Sequence, residues 1–372
     1  MPGAVPPASA PAATCWTGLH GSALALAIHA AATAHGGITL IAARSSHQAQ
    51  VLARDIELLA ARPLPVWLFP DHETLPYDPF SPHPDISAER LKTLAALGAA
   101  RHGILLAPAS SLMQRLPPAE YILQRSFDLA VGQPLAIEAF RQQLQHAGYD
   151  AAEQVYQSGQ YAIRGSVIDL FPAGSSSPYR IDLFDEEIES IRLFDAESQR
   201  STGKVERIAL LPAREYPCDE QSLEAFRRAF RYRFPVDTRN VNLYQDLRAG
   251  VLPQGLEQYL PLFHDRTSFL LDYLRDRPRL VLQDGFHAAA EDLERRTRER
   301  WEQRRHDLER PVLEPAELFF GAAELRERLA PCLAVLVGAA DPGGPDGRPG
   351  ELGPAGFVPL AFATEPAPDL HI

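Results

Sequence analysis

The stretch "YAIRGSVIDLFPAGSSSPYRIDLFDEEIESIRLFDAESQRS", Tyr161 to Ser201, contains short apolar runs that are separated by turn clusters such as "PAGSSSP" and "FDEE". Runs of this kind, rich in β-branched and aromatic residues, predict strands at Tyr161–Phe171, Tyr179–Phe184 and Ile188–Phe194, joined by tight turns. A further strand is predicted near Val205–Leu211, and a helix is predicted near Leu135–Ala147. Together they indicate a small antiparallel α+β domain over residues 125–212.

The sequence on either side of this domain has a different pattern of hydrophobic residues. The runs "GITLIAA", "VWLF" and "GILLA" alternate with amphipathic stretches near 46–61 and 86–99, which is typical of parallel strands with crossover helices. A helical pattern returns after Pro212, and "RLVLQDG", Arg279 to Gly285, predicts another buried strand. We therefore predict an α/β fold whose parallel-sheet domain is discontinuous, with parts at 15–124 and 213–337 and the smaller domain inserted between them.

The two ends of the chain have biased compositions. Residues 1–14 are rich in Pro and Ala and lack the basic residues of a secretory signal, so a disordered tail is expected. Residues 338–372 begin with a Gly/Pro-rich run that predicts a flexible linker, as if a further domain were to follow. The apolar run Ala23 to Ala34 is too short to span a bilayer, so no membrane contact and a cytoplasmic location are expected.

Composition narrows the possible partners. The 372 residues carry a formal charge of −12, which disfavours general attraction to nucleic acid and favours a protein partner. Cys15, Cys218 and Cys332 lie far apart, so neither a zinc site nor a disulfide framework is expected. The charged run Glu291 to Arg310 mixes acids with arginines and has a narrow stripe of larger residues, which indicates a solvated helix face.

A few His and Asp residues have side chains of the kinds that bind metal ions or transfer protons. His83, Asp85 and His287 lack further ligands at usable spacing, so surface or capping roles are expected, with Asp85 as a possible cap of the following helix. We predict no metal site, no cofactor and no catalytic residue.

The segment "WTGLHGSALALAIHAA", Trp16 to Ala31, has the outline of a phosphate-binding loop before a helix. On the pattern G-x-x-x-x-G-K-[ST], Gly18 takes the first position, the spacer includes Gly21, and the last three positions fall on Ala23, Leu24 and Ala25. These three side chains provide neither the ammonium group nor the hydroxyl that phosphate and Mg²⁺ require. On spacing alone, an ordinary Gly-rich turn before an Ala-rich helix is favoured.

The stretch Tyr161 to Ser201 closely resembles the interaction domain shared by bacterial UvrB and the transcription-repair coupling factors (Mfd). "ETLPYDPFSPHPDISAERLKTL", Glu73 to Leu94, and "GLEQYLPLFHD", Gly255 to Asp265, extend the resemblance to the coupling factors over most of the chain. The resemblance implies an N-terminal UvrB-like module with a degenerate, helicase-like phosphate-loop domain. It also implies that the RNA-polymerase-binding domain and the translocase motor lie outside this chain.

The same resemblance implies that the nucleotide site is vestigial. UvrB has a complete phosphate-binding loop and an Asp-Glu pair on a later strand. Here Asp284 matches the first acid, but Gly285 takes the place of the second. The tyrosine-rich hairpin with which UvrB holds damaged DNA is also missing, since only Tyr77 lies between "VWLF" and "DISAER".

The proposed contact with UvrA, the damage-recognition subunit, lies on the inserted domain. The resemblance implies that Arg164, Arg180 and Phe184 form this contact. Alternation along "YRIDLF" places Arg180 and Phe184 on one face, together with Asp182. Two alternatives remain open: Phe184 packs under the adjoining turn, or Gly165 marks a bulge that turns Arg164 to either face.

The leading functional hypothesis is a non-catalytic module that recruits UvrA and so links stalled RNA polymerase to nucleotide excision repair. RNA polymerase and double-stranded DNA would bind domains outside this chain. An ATP-dependent DNA repair enzyme of the UvrB or helicase type is the alternative, and a nucleic-acid-binding fragment without ATPase activity is a third possibility. Positions 23–25 and 285 favour the first hypothesis over the second.

Overall fold

The computed structural model describes residues 13–59, 63–338, 358–362 and 364. Its strands, in chain order, are β1 Thr14–Thr17, β2 Ile38–Ala43, β3 Val66–Leu68, β4 Gly103–Pro108, β5 Phe127–Ala130, β6 Asp150–Ala151, β7 Gln160–Arg164, β8 Val167–Leu170, β9 Tyr179–Phe184, β10 Glu187–Phe194, β11 Ser201–Val205, β12 Arg207–Leu210, β13 Arg279–Gln283, β14 Leu333–Val337 and β15 Val358–Ala361.

The α-helices are α1 Ala23–His35, α2 Ser46–Leu59, α3 Pro84–Ala99, α4 Ala109–Leu112, α5 Ala119–Arg125, α6 Ile137–His146, α7 Glu220–Arg233, α8 Asn242–Arg248, α9 Phe286–Arg304, α10 Pro315–Leu318 and α11 Ala322–Leu329. Short 3₁₀ segments occur at Thr238–Asn240, Leu256–Leu262, Leu270–Tyr273 and Ala330–Cys332. Within the described ranges, no helix is both long and apolar enough to cross a bilayer.

A seven-stranded parallel sheet contains strands from both ends of the described chain. Its order is β15-β1-β14-β13-β2-β4-β3, so β13, which follows the smaller sheets in sequence, lies directly beside β2. The mixed α/β class is therefore confirmed, and the strand predicted at Arg279 to Gly285 does belong to the parallel sheet.

The parallel sheet is covered on both faces, which explains why its strands are almost purely apolar. Along β2, Leu40 and Ala42 pack into one core with helices α3, α9 and α11, whereas Ile41 and Ala43 pack into the other core with α1 and α2. Period-two alternation in a strand directs successive side chains to opposite faces. A nearly continuous apolar run satisfies both cores, and Thr39 is the one polar residue of β2.

The middle of the chain forms two smaller sheets, which are antiparallel except for the parallel pairing of β6 with β7. Six strands pair in the order β11-β10-β9-β8-β7-β6, and β5 pairs with β12 in a separate two-stranded sheet. Helix α6 packs on them through Phe140 and Leu144, which are buried together with Ile181 and Leu183 of β9. The run predicted as one strand over Tyr161–Phe171 is in fact a hairpin, because Gly165, with φ of 60°, turns the chain between β7 and β8.

The ends of the chain differ in part from the sequence expectations. Thr14, expected in the disordered tail, is a buried residue of β1, and residues 358–361, expected in the flexible linker, form β15 on the other edge of β1. Parallel pairing with β1 supplies their backbone partners, and composition carries no signal of that pairing. Residues 1–12, 60–62, 339–357, 363 and 365–372 lie outside the described residues, and so do the corresponding parts of the tail, helix and linker predictions.

Two smaller expectations also need correction. His83, and not Asp85, is the N-cap of α3, since its Nδ1 accepts from the Asp85 backbone N–H at 3.3 Å. Asp85 lies in the first turn, where a carboxylate is favoured by the helix dipole. The charged run at Glu291 to Arg310 is helical only to Arg304, and Leu308 is exposed beyond the end of α9.

Candidate functional site

The three residues predicted to contact UvrA lie on the six-stranded sheet. Arg164 ends β7, while Arg180 and Phe184 lie on β9, four residues apart on the same face. That spacing corresponds to roughly 13 Å along a strand. Ile181 and Leu183 point to the opposite face, where both are buried.

Arg164 and Arg180 share one carboxylate. Asp169 of β8 lies opposite Arg180 in the ladder and is fully buried. Its two oxygens accept from Nε and Nη2 of Arg180 at 2.6 and 2.9 Å, and Nη2 of Arg164 also donates to it. The side chain of Arg164 therefore lies on the same face as Arg180. The hairpin at Gly165 keeps a regular register, so it is not a bulge.

The surroundings of Arg180 hold its guanidinium in place. It lies 4.9 Å from the centre of the buried Phe194 ring, and its Nη1 donates to the Gln199 carbonyl at 3.4 Å. The hydrogen bond with Asp169 raises the pKa of Arg180 above its ordinary value, so the group stays charged. Only 20% of the Arg180 side chain is exposed, against 47% for Arg164.

Phe184 is the most exposed member of the predicted set. It is 69% exposed, and it pairs with Glu187 across a two-residue loop in which Asp185 has a φ of 54°. It does not pack under the adjoining turn. An exposed aromatic side chain at the end of a strand, on the same sheet face as two arginines, has the composition of a binding hot spot.

A second ion pair lies on the same face of the sheet, and the sequence patterns did not identify it. Asp182 of β9 accepts from Arg192 of β10, with Nε and Nη2 at 3.0 and 2.5 Å, and also from the Ser190 hydroxyl at 2.7 Å. Arg192 is the direct ladder partner of Arg180 and lies on the same face. The alternation of residues along β10 would have predicted this face from the sequence.

The segment that resembles a phosphate loop forms a turn before α1. Gly18 and Gly21 both have positive φ, and Ser22 precedes the helix without a side-chain capping bond. Ala25 is buried in the core, so it does not face a ligand. Ala23 and Leu24, the other two positions of the motif, are half-buried.

The residues that follow β15 occupy this turn. The His20 backbone N–H donates to Thr364 Oγ1 at 3.0 Å, and that hydroxyl donates to the Gly18 carbonyl at 2.5 Å. A Cβ added at Gly18 would lie 2.2 Å from the Phe362 carbonyl oxygen. Polar groups of this turn are thus bonded within the chain.

Asp284 and Gly285 lie at the end of β13. Asp284 is exposed, and Gly285, with φ of 75°, begins helix α9. Because β14 separates β13 from β1, two strand spacings of roughly 5 Å each lie between this position and the turn at Gly18. No group of three or more His, Cys, Asp or Glu side chains in the described part of the chain is arranged to hold a metal ion.

A cleft of about 490 Å³ opens at the carboxyl ends of β2, β3 and β4. Ser46 and Ser110 both donate to Asp71 at 2.7 Å, so these polar groups of the cleft are bonded to one another. The cleft also reaches Glu215, which is buried against Arg90.

Comparison with known proteins identifies the inserted region. Residues 127–216 match the family model of the UvrB interaction domain. These residues contain Asp169 and the three residues predicted to contact UvrA.

Relatives cover most of the chain. It is 40% identical over 306 residues to the transcription-repair-coupling factor of Haemophilus influenzae, and the alignment covers 82% of this chain and 26% of that protein. It is 39% identical to the protein of the same name in Escherichia coli K12, over 84% of this chain and 27% of that protein. The corresponding protein of Bacillus subtilis is 28% identical over 75% of this chain and 25% of that protein. The chain thus spans about a quarter of the length of these relatives, and it belongs to the transcription-repair-coupling factor family as an N-terminal module that carries a UvrB interaction domain.

Proposed function

We propose that this chain is a non-catalytic module that binds UvrA and thereby links stalled RNA polymerase to nucleotide excision repair. The observation that carries the proposal is the exposed Phe184 on the same sheet face as Arg164 and Arg180, in the region that matches the UvrB interaction domain. In the whole family protein, RNA polymerase and double-stranded DNA would bind parts outside this chain. The process takes place in the cytoplasm.

The proposed contact uses the residues in different ways. Phe184 provides apolar area that would be buried against UvrA, since aromatic side chains account for much of the energy of protein interfaces. Arg164 is half exposed and offers its guanidinium directly. Arg180 is more enclosed, so we propose that only one edge of its guanidinium contacts UvrA.

Direct binding to purified UvrA tests this proposal. We expect the chain to bind UvrA in a calorimetric titration, and a variant with alanine at Arg164, Arg180 and Phe184 to lose measurable binding. Because this variant leaves the buried Asp169 carboxylate without its counter-ions, circular dichroism and a melting curve check that it is still folded at the temperature of the titration. The matched control is Tyr232→Ala, which removes a 94% exposed aromatic side chain from α7, outside the inserted domain. Equal binding by the triple variant and the wild type would contradict the proposed surface.

We further propose that the parallel-sheet domain is a degenerate helicase-like domain in two parts, at 15–124 and 213–337, with the UvrA-binding domain at 125–212 between them. Ala23, Leu24, Ala25 and Gly285 lack the cationic, metal-binding and water-activating groups of phosphate chemistry. The bonds of Thr364 to the turn at Gly18 also support this view.

The ATP-dependent enzyme hypothesis makes the opposite prediction for nucleotide binding. We expect no binding heat when Mg-ATP is titrated into the chain, and no phosphate release. A dissociation constant in the micromolar range would contradict the degenerate assignment.

A further inference from the structure

The buried carboxylate of Asp169 connects two residues of the proposed contact that lie on separate strands. Ala162 of β7, Asp169 of β8 and Arg180 of β9 form one row across the sheet. Arg180 uses Nε and Nη2 on both carboxylate oxygens, which is the two-point geometry of a strong Arg–carboxylate pair. Arg164 reaches the same carboxylate from the end of β7.

On this face Ala162, the ladder partner of Asp169, forms a small apolar cluster with Val155 and Phe194. A buried ion pair is weak evidence for stability, because removing its charges from water offsets much of their attraction. The carboxylate therefore calls for a reason other than folding, and its effect on the two guanidinium groups provides one.

Both guanidinium groups keep donors for a partner. An arginine has five N–H donors in a fixed plane. Among the described residues, Arg180 uses three of its five, on Asp169 and the Gln199 carbonyl, while Arg164 uses two, on Asp169 and the Glu153 carbonyl. The bonds to Asp169 fix the directions of the remaining N–H groups of both arginines.

We propose that Asp169 is a positioning residue for UvrA binding: it holds the guanidinium groups of Arg164 and Arg180 in the orientation in which they meet acceptor groups on the partner. This inference rests on the proposed function. Fixing flexible side chains before association reduces the conformational entropy that binding must remove, so affinity rises without a new contact. Asp169 itself is too deeply buried to touch UvrA.

A matched control lies in the separate two-stranded sheet. Asp128 of β5 pairs with Arg207 of β12 at 3.3 Å, and neither residue is assigned to the contact. Asp169→Asn removes the charge and one acceptor with almost no change in shape, and Asp128→Asn makes the same chemical change away from the proposed surface.

The experiment measures the dissociation constant for UvrA in a double-mutant cycle. We expect Asp169→Asn to weaken binding by at least about tenfold, and Asp128→Asn to change it less than about threefold. In a chain that already carries Arg164→Ala and Arg180→Ala, Asp169→Asn should change the remaining affinity less than about twofold, because it acts through those arginines. The NMR signal of Arg180 Nε–H should exchange slowly with solvent in the wild type and rapidly in Asp169→Asn.

A second variant tests the orientation without touching the buried residue. Arg180→Lys keeps the charge but loses the two-point geometry, so we expect it to weaken binding by about tenfold or more. Wild-type affinity in either Asp169→Asn or Arg180→Lys would overturn the inference while leaving the proposed function intact. Tighter binding by Asp169→Asn would overturn it too, since Asp169 would then compete with the partner. An equal loss in both arms of the cycle would show a purely structural role, and failure of the wild-type chain to bind UvrA would refute the proposed function itself.

Discussion

At the scale of single residues, the proposed surface combines arginines that are paired with carboxylates and an aromatic ring that is exposed to solvent. Arg164 and Arg180 are paired with Asp169, and Asp182 is paired with Arg192. The ring of Phe184 has no comparable burial, being 69% exposed. Burial of an exposed ring on association lowers the free energy without a compensating loss within the chain, so Phe184 is expected to dominate the affinity.

Phe184→Ala is therefore expected to weaken UvrA binding by roughly thirtyfold, which corresponds to about 2 kcal/mol. The melting temperature should stay within a degree or so of the wild type, because an exposed side chain contributes little to folding. Affinity by calorimetry and melting by circular dichroism check the two parts. A sharply lowered melting temperature with unchanged affinity would identify Phe184 as a packing residue and not a contact.

At the scale of elements, a buried ion pair joins helix α3 to the segment that follows β12. Arg90 of α3 is fully buried, stacks 4.3 Å from the Phe69 ring centre and donates through Nε to Glu215 at 2.5 Å. Burial by itself would raise the pKa of Glu215, but the charge of Arg90 and the contact with His72 outweigh it and hold that pKa well below its ordinary value. His264 donates through Nε2 to the Glu215 backbone carbonyl at 3.1 Å.

Glu215→Gln is expected to lower the free energy of unfolding at pH 7 by about 3 kcal/mol, because Arg90 would keep a buried charge without its counter-ion. Since the folded pKa is depressed, the stability due to Glu215 is fully present above the unfolded pKa of about 4.3 and is lost as the pH falls through the folded value. Denaturant titrations between about pH 7 and 3 should therefore show a shallower decline for the variant than for the wild type.

The control for this prediction is Glu120→Gln, which alters an exposed pair with Arg266 and should leave the free energy of unfolding almost unchanged. If Glu215→Gln shows the wild-type pH dependence below about pH 4, the ion pair with Arg90 does not set the acid stability.

At the scale of the whole molecule, the parallel sheet is assembled from distant parts of the sequence. Strand β1 pairs with β14 and β15, and β13 separates β14 from β2. Strands β1 to β4 alone therefore leave β1 without a neighbour in the sheet. The inserted region differs, because its core consists of residues between Phe127 and Ala213.

Fragments should reflect this difference. We expect residues 125–213 to fold alone and to melt cooperatively, since their core is local to the fragment. Residues 13–124 should lack a cooperative transition, because the sheet would miss the strands that join β1 to β2. Circular dichroism melts of both fragments beside the full chain check this. Cooperative melting of 13–124, or an unfolded 125–213, would contradict the proposed division into domains.

Patterns within short windows determined much of the fold. The apolar runs of β2 and β4 predicted buried parallel strands, and alternation along "YRIDLF" predicted that Arg180 and Phe184 share one face. The structure shows that Ile181 and Leu183 are buried on the opposite face and that Phe184 is exposed. Both signals come from the geometry of a strand, which needs no knowledge of its neighbours. The lack of charged groups at Ala23, Leu24 and Ala25 is also evident from the sequence alone, because side-chain chemistry does not depend on the fold.

Only the tertiary structure decided which distant residues meet. It brought Arg164 and Arg180 onto one buried carboxylate, paired Arg90 with Glu215 across 125 positions of sequence, and placed Thr364 against Gly18. It also showed that residues 358–361 join a sheet, although their composition had suggested a linker. Contacts between residues far apart depend on strand order and register, and a local pattern of hydrophobicity contains neither. The side-chain types were therefore readable from the sequence, whereas the Asp169 network to which we assign the orientation of the arginines exists only in the folded chain.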